Sequence, residues 1–228
     1  RVKIFEKSCV IKVKYGRKNT IFLDNGYQVK CENVIFSCNG YLGNLEPKIS
    51  KKVMPINNFI LATEILEKNL LDSFFKNNYA VADDKFVPNY FRPSPDKRLI
   101  FGGGENYTYK FPKAIKKLVR NRMIKVYPQL ENTQIDFVWG GTLAVTRSRL
   151  PYFAKIKQNA FSVSGYSGHG VALSVLSGKI IAELINGNSK RFDFMNKIPA
   201  KPFPGNSSLQ WPMLVLGMLW YSLRDRLR

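Results

Sequence analysis

This 228-residue sequence has only one imidazole and three thiols. Cys9, Cys31 and Cys38 are odd in number and lack paired metal-ligand spacing, which argues against a disulfide framework and a zinc site and fits a reducing, cytoplasmic setting. Long apolar runs are missing too. The most apolar late stretch, Met213 to Tyr221, is far too short to span a bilayer, and no signal peptide is visible, so any membrane contact is expected to be peripheral. Acidic residues are scarce, 16 Asp and Glu against 36 Lys and Arg, for a formal net charge of +20. Such an excess raises nucleic acid as a partner, because clustered cations attract phosphates. The lysines are scattered, however. Lys51-Lys52 and Lys116-Lys117 are the only adjacent lysine pairs, and no compact basic run marks a nucleic-acid face. The Gly-x-Ser-x-Gly elbow of serine hydrolases and a phosphate loop closing in Gly-Lys-Ser/Thr are also missing.

With 45% hydrophobic and 13% aromatic residues, the chain can bury one large core or two small ones. It starts at Arg1, and Val2-Lys3-Ile4-Phe5 already reads as a strand, so the sequence is expected to begin inside a larger protein. Apolar and polar residues alternate from Val2 to Val34, with a tight-turn signal at Asp24-Asn25-Gly26, which predicts a small antiparallel meander. The continuous run Asn33 to Cys38 ends in Asn39-Gly40 and suits a buried parallel strand whose end meets a ligand. Phe59 to Glu64, Tyr90-Phe91 and Leu99 to Phe101 read as an antiparallel sheet, with Gly102-Gly103-Gly104 as a strand exit. Lys113 to Tyr127 has the spacing of an amphipathic helix between Pro112 and Pro128. Ile135 to Trp139 reads as a strand followed by a loop at Gly140-Gly141. Ala160 to Ser164 then enters a glycine-rich turn, and Val171 to Asn186 reads as a helix stopped by Gly187. Pro199 to Pro212 is loop-like, and Leu214 to Leu227 is amphipathic.

The densest local feature is Gly165-Tyr166-Ser167-Gly168-His169-Gly170. Its glycines let the backbone approach a flat or phosphorylated ligand, and the following helix N-terminus favours anionic oxygens. A tight turn with close helix packing explains the same glycines equally well. His169 could shuttle protons, donate a hydrogen bond to a ring or simply pack. Tyr90 and Arg92, two apart on one strand face, suit either a substrate cleft or an edge-strand surface pair.

The order of the separated segments Ser37-Cys38-Asn39-Gly40-Tyr41-Leu42, Val53-Met54-Pro55-Ile56, Phe101 to Glu105, Trp139-Gly140-Gly141-Thr142, Arg149-Leu150-Pro151, Gly165 to Gly170 and Leu216 to Tyr221 resembles the D-amino-acid-oxidase-like superfamily of FAD-dependent oxidoreductases, and within it the gamma-glutamylputrescine oxidase group. The resemblance implies an α/β fold with an antiparallel-sheet substrate domain, the C-terminal part of a two-domain fold. Its FAD domain would be discontinuous and would lack the N-terminal Rossmann segment with the Gly-x-Gly-x-x-Gly loop. Residues 1–45 would return to the FAD domain, 46–140 form the substrate domain, 141–190 complete the FAD domain and 191–228 form a tail with an amphipathic helix.

By the same resemblance, Val10 would lie near the adenine, Ser37, Cys38, Asn39 and Gly40 on a strand-end loop near FAD, and Gly165, Tyr166, Ser167, Gly168, His169, Gly170 and Val171 around the flavin ring and ribityl chain. Thr142 to Leu150 contains no cysteine for attachment, which implies noncovalent FAD. Where amino-acid-oxidising relatives often place a carboxylate-binding arginine, this chain has Leu143, which points away from small α-amino acids and towards a longer amine. Tyr90, Arg92 and Arg147 are the substrate-binding candidates, with O2 or another acceptor reoxidising the flavin. No residue is assigned as a catalytic base. Two other readings stay open, a noncatalytic truncated remnant and a basic nucleic-acid-binding protein.

Overall fold

A computed structural model describes residues 2–85, 87–106 and 111–204, together with 212, 213, 215–217, 220 and 223. Most of the closing amphipathic stretch, Leu214 to Leu227, lies outside the described residues. The chain divides into two compact units. The first comprises Arg1–Pro55 and Leu143–Phe203, the second Ile56–Thr142 and Pro204–Arg228.

The first unit opens with the expected meander, β1 (Val10–Lys14), β2 (Asn19–Leu23) and β3 (Gln28–Cys31), all antiparallel, with Gly26 in the left-handed region at the β2–β3 turn. The strand expected at Val2 to Phe5 does not form. Val2, Ile4 and Phe5 are largely exposed, and no described strand pairs with them, so their apolar alternation finds no partner strand.

A second sheet contains β4 (Val34–Phe36), β10 (Tyr152–Lys157) and β11 (Ala160–Ser164) in the order β10-β11-β4. The β10–β11 hairpin is antiparallel, whereas β11 runs parallel to β4 with Ala160 opposite Val34, Phe161 opposite Ile35 and Ser162 opposite Phe36. Side chains alternate across this sheet. On one face Phe153, Phe161 and Val163 pack against Ile180 and Ile181 of α4 (Gly170–Ile185) and Phe192 of α5 (Lys190–Asn196). On the other, Val34, Phe36, Ala154, Ile156 and Ala160 share a core with Leu42 and with Ile49 of α1 (Pro47–Ser50). The burial of Ile49 and Phe192 explains why this unit extends to residue 55 and resumes through residue 203, beyond the limits of 45 and 190 expected from sequence. The meander is stapled to the second sheet by the Asn159 side chain, whose amide reaches the carbonyls of Gly16, Arg17 and Glu32.

The second unit is built on a five-stranded sheet in the order β6-β7-β8-β5-β9, from β5 (Met54–Thr63), β6 (Val81–Ala82), β7 (Tyr90–Pro93), β8 (Leu99–Asn106) and β9 (Ile135–Val145). Its antiparallel pairs β6–β7, β7–β8 and β8–β5 match the antiparallel reading. The amphipathic helix appears as α3 (Ile115–Val126), and its Val119 and Met123 are sealed against Phe59, Leu61, Leu99, Phe101 and Leu130. The short α2 (Lys68–Phe74) adds Leu71 to the same core. Each such side chain contributes roughly 1.5–3 kcal/mol when fully buried.

Gly102-Gly103-Gly104, expected as a strand exit, and Gly140-Gly141, expected as a loop, are strand interior instead. Gly102-Gly103-Gly104 lies within β8, where a Cβ on Gly102 would sit 2.0 Å from the Tyr90 ring and one on Gly103 2.6 Å from Asn89 Oδ1. Gly140-Gly141 lies within β9, where a Cβ on Gly140 would sit 2.7 Å from both Phe111 and Phe59. These glycines admit neighbouring side chains within the strands.

Candidate functional site

The ends of the two parallel strands β4 and β11 lie side by side, and both leave their strand through conformations that favour small or amide residues. After β4, Ser37 and Cys38 lead into a short 3-10 turn at Asn39–Tyr41, with Asn39 at a φ of 48°. Asparagine tolerates this left-handed region better than most residues. After β11, Gly165 (φ 72°), Ser167 (53°) and Gly168 (98°) turn the chain sharply into α4. The loops are joined directly, since the Gly165 N–H donates to Asn39 Oδ1 at 3.2 Å across 126 residues of sequence. The sequence motifs Ser37–Gly40 and Gly165–Gly170 therefore form one place, at the C-terminal edge of a parallel pair, where α/β sheets receive ligands.

Thr146 and Ser167 hold the second loop from below. The Thr146 N–H donates to Ser167 Oγ at 3.3 Å, Ser167 Oγ donates to the Gly165 carbonyl at 3.1 Å, and the Ser167 N–H donates to the Ala144 carbonyl at 3.0 Å. A Cβ on Gly165 would sit 2.5 Å from Thr146 Cγ2, so only glycine fits there. Thr146 is buried, lies far from the loop in sequence and belongs to no motif, so pattern reasoning passed over it. Ser164, at the end of β11, is buried, and its Oγ has no hydrogen-bond partner.

Gly168 differs from Gly165. A Cβ added to it would meet nothing within 4 Å, so the loop faces open space at that point. His169 occupies the N-cap position of α4, where it is exposed and gives no side-chain cap. Its backbone N–H donates to Tyr166, and its carbonyl accepts from Leu173. No acidic residue lies in the first turn of α4, so that turn carries no negative side chain against the positive end of the helix dipole. Cys38 is half-buried, and desolvation raises its thiol pKa above the ordinary value, keeping it protonated and chemically quiet. Val171 is exposed on the first turn of α4. Val10 lies apart from these loops in the meander, paired with Leu23 on β2.

The substrate-binding candidates fall on different units. Tyr90 and Arg92 are on β7 of the second, where the Tyr90 ring lies over Gly102 and its hydroxyl donates to Asn58 Oδ1 on β5. Asn58 had no motif to mark it. Beside it, Thr142 Oγ1 donates to Asn57 Oδ1 at 2.9 Å. Arg92 is exposed, and its Nε donates to the Pro93 carbonyl at 3.3 Å. Arg147 is on the first unit, exposed, and donates to the Pro202 carbonyl at 3.2 Å. Among the described residues no group of three or more His, Cys, Asp or Glu side chains is gathered to hold a metal ion, and no helix is long and apolar enough to cross a membrane.

A paired strand end, a glycine-rich turn and an uncapped helix start lie together here, and comparison with known proteins gives the class of the chain. Residues 1–184 match the DAO family, described as FAD dependent oxidoreductase. The chain belongs to this family of FAD-dependent oxidoreductases. It is 37% identical over 226 residues to gamma-glutamylputrescine oxidoreductase of Escherichia coli (strain K12), covering 99% of this chain and 53% of that protein. It is also 34% identical over 223 residues to the probable oxidoreductase OrdL of Rhizobium meliloti (strain 1021), covering 98% and 52%. The chain thus spans about half the length of the curated relatives it matches. Its fold is that of L-proline dehydrogenase from P. horikoshii (TM-score 0.65, 22% identity, 87% of this chain and 53% of that one) and of glycine oxidase from Geobacillus kaustophilus (TM-score 0.65, 17% identity, 80% and 49%).

The residues present fit part of an FAD site. Gly165 and Gly168 let the backbone approach a planar group, α4 offers unpaired first-turn N–H groups to its oxygens, and no acidic side chain in that turn opposes them.

Proposed function

We propose that this chain is the flavin-facing and substrate-facing part of an oxidoreductase that oxidises a gamma-glutamylputrescine-like amine, completed by an upstream segment that carries the pyrophosphate-binding loop. The observation that carries the reading is the joining of the β4 and β11 loops by the Gly165–Asn39 hydrogen bond, directly ahead of the uncapped start of α4. FAD, when bound, would accept a hydride equivalent from the amine-bearing carbon, with O2 or another acceptor taking the electrons onward.

In this reading the chain's own residues hold and polarise. The first-turn N–H groups of α4 favour the oxygens at which reduction builds negative charge. Gly165 and Gly168 keep side chains out of that approach, while Thr146 and Ser167 fix the turn's shape. The absence of cysteine between Thr142 and Leu150 supports noncovalent attachment. Tyr90, with its hydroxyl engaged by Asn58, offers a neutral polar surface suited to a long amine, whereas Leu143 offers no cation to a small amino acid's carboxylate. Arg92 and Arg147, both exposed, are available to a remote carboxylate. The three thiols are free, which fits a reducing cytoplasm.

The test is the visible absorption spectrum of the protein purified with the segment encoded upstream, before and after anaerobic addition of gamma-glutamylputrescine. Flavin bands that bleach establish the reading. A folded, colourless protein overturns it, and flavin bands that stay unbleached overturn the substrate assignment alone.

A further inference from the structure

The fold gathers cations that lie apart in the sequence. Across the meander of β1, β2 and β3, the register sets Lys12 beside Phe22 and Phe22 beside Gln28, and likewise Lys14 beside Thr20 and Thr20 beside Lys30. Val13, Ile21 and Cys31 point the other way, against the core beneath the meander. The outer face therefore carries Lys12, Lys14, Thr20, Phe22, Gln28 and Lys30, with the lysines and Gln28 exposed and Thr20 and Phe22 half-buried between them. Arg17 and Lys18, both exposed, add two cations at the turn from β1 to β2. That turn is held in place, because the Asn159 amide donates to the carbonyls of Gly16 and Arg17.

Three properties of this face narrow its partner. It has no carboxylate: Asp24 and Glu32 lie beyond the ends of β2 and β3, and none of the five cations is in an ion pair with a described residue. Uncompensated charge of one sign on one small sheet calls for an anion. The paired positions of the face hold no aliphatic side chain, so nothing there inserts among lipid tails, and an anionic lipid surface is the weaker fit. Its one ring, Phe22, is on the middle strand, with Lys12 Nζ 5.8 Å from the ring centroid and lysines on the strands to either side. An aromatic side chain in the middle of a sheet, flanked by lysines, is an arrangement that stacks a base and follows the phosphates on both sides of it.

We propose that the outer face of the meander binds single-stranded nucleic acid, with a base stacked on Phe22, Gln28 at the base edge, and the neighbouring phosphates held by Lys12, Lys14, Arg17, Lys18 and Lys30. The flexible stem of Lys12 lets its ammonium leave the ring for a phosphate. These contacts are to features common to every sequence, so binding is sequence-tolerant and salt-dependent. The activity stands apart from the flavin reading, since none of these residues belongs to the loops after β4 and β11.

The experiment follows the fluorescence anisotropy of labelled pyrimidine strands of about twelve nucleotides, one of ribose and one of deoxyribose, titrated with the full chain without added flavin. Binding of either strand supports the inference, and the tighter of the two identifies the source as RNA or DNA. With five phosphate contacts, affinity is expected to fall roughly 100-fold between 50 and 200 mM salt. Lys14→Gln/Lys30→Gln is expected to melt like the parent chain and to bind more weakly, and the same rise in salt should then cost it only about 20-fold. Arg17→Gln/Lys18→Gln makes the same test at the turn, should the strand variant fold poorly. Phe22→Leu is expected to weaken binding about tenfold and to leave the salt dependence unchanged. Lys76→Gln/Lys125→Gln, the same charge change at exposed positions of the second unit, is expected to bind like the parent. Failure of both strands to bind at the lower salt, undiminished binding by Phe22→Leu, an equal loss in the Lys76→Gln/Lys125→Gln variant, or tighter binding of polyglutamate or of phosphatidylglycerol vesicles than of either strand each overturns the inference.

Discussion

The two units differ in how tightly particular glycines and apolar side chains are covered. In the second, Gly102, Gly103 and Gly140 are filled by that unit's own Tyr90, Asn89, Phe59 and Phe111, and Phe59, Leu61, Leu99, Phe101, Val119, Met123 and Leu130 are wholly shielded. In the first, Gly168 and Gly178 face nothing, and α4 turns valines to solvent. The core of the second unit is sealed at these positions, whereas the first unit leaves Gly168, Gly178 and the valines of α4 uncovered.

Substitutions can break this contrast. The largest effect is expected from Phe101→Ala, which empties the sealed core of the second unit and should cost about 3–5 kcal/mol in denaturant unfolding. A loss below about 1 kcal/mol would show that this core is not closed. Gly102→Ala forces the Tyr90 ring off the strand and should cost roughly 1–3 kcal/mol in the same measurement. Gly168→Ala has room for its methyl group and only backbone strain to absorb, so about 1 kcal/mol is expected, with a larger proportional loss in flavin affinity than in stability. Equal losses at both glycines would erase the distinction.

A smaller effect concerns pH. The Tyr15 hydroxyl donates to the buried carboxylate of Glu46, and desolvation, with that carboxylate beside it, raises the Tyr15 pKa well above its ordinary value of 10.0. The folded state thus favours the protonated phenol. Its contribution should be complete below about pH 10 and decline as the pH rises above that, and Tyr15→Phe should remove this alkaline decline from a thermal-melting series. The smallest effect is chemical. Exposed Cys9 should react with iodoacetamide at pH 8 several-fold faster than Cys38, whose thiol burial holds protonated, as peptide mass mapping over time would show.

Local signals in the sequence carried far where the physics was local. Ala160–Ser164 and the helix after Gly170 lie within a residue of their expected bounds, because alternation, a glycine turn and a glycine stop are written in adjacent positions. The loop motifs at Ser37–Gly40 and Gly165–Gly170 were legible separately, and the Asn39 to Gly165 contact that unites them was not, since nothing local reports it. Gly102 and Gly140 misled for the same reason, as the rings that occupy their missing Cβ positions come from other strands or loops. α5 escaped notice because it is short, and only its burial of Phe192 distinguishes it from a tail.

The Asn39 to Gly165 hydrogen bond also has a kinetic meaning. Its partners are 126 residues apart, and the whole chain between Ile56 and Thr142 lies between them. A loop of that length closes slowly while it is disordered. Once the inserted unit has collapsed around Phe59 and Met123, β4 and β11 are tethered by a compact body in place of a long coil. Joining of the β4 and β11 ends is then expected to follow collapse of a unit that contributes no residue to that hydrogen bond.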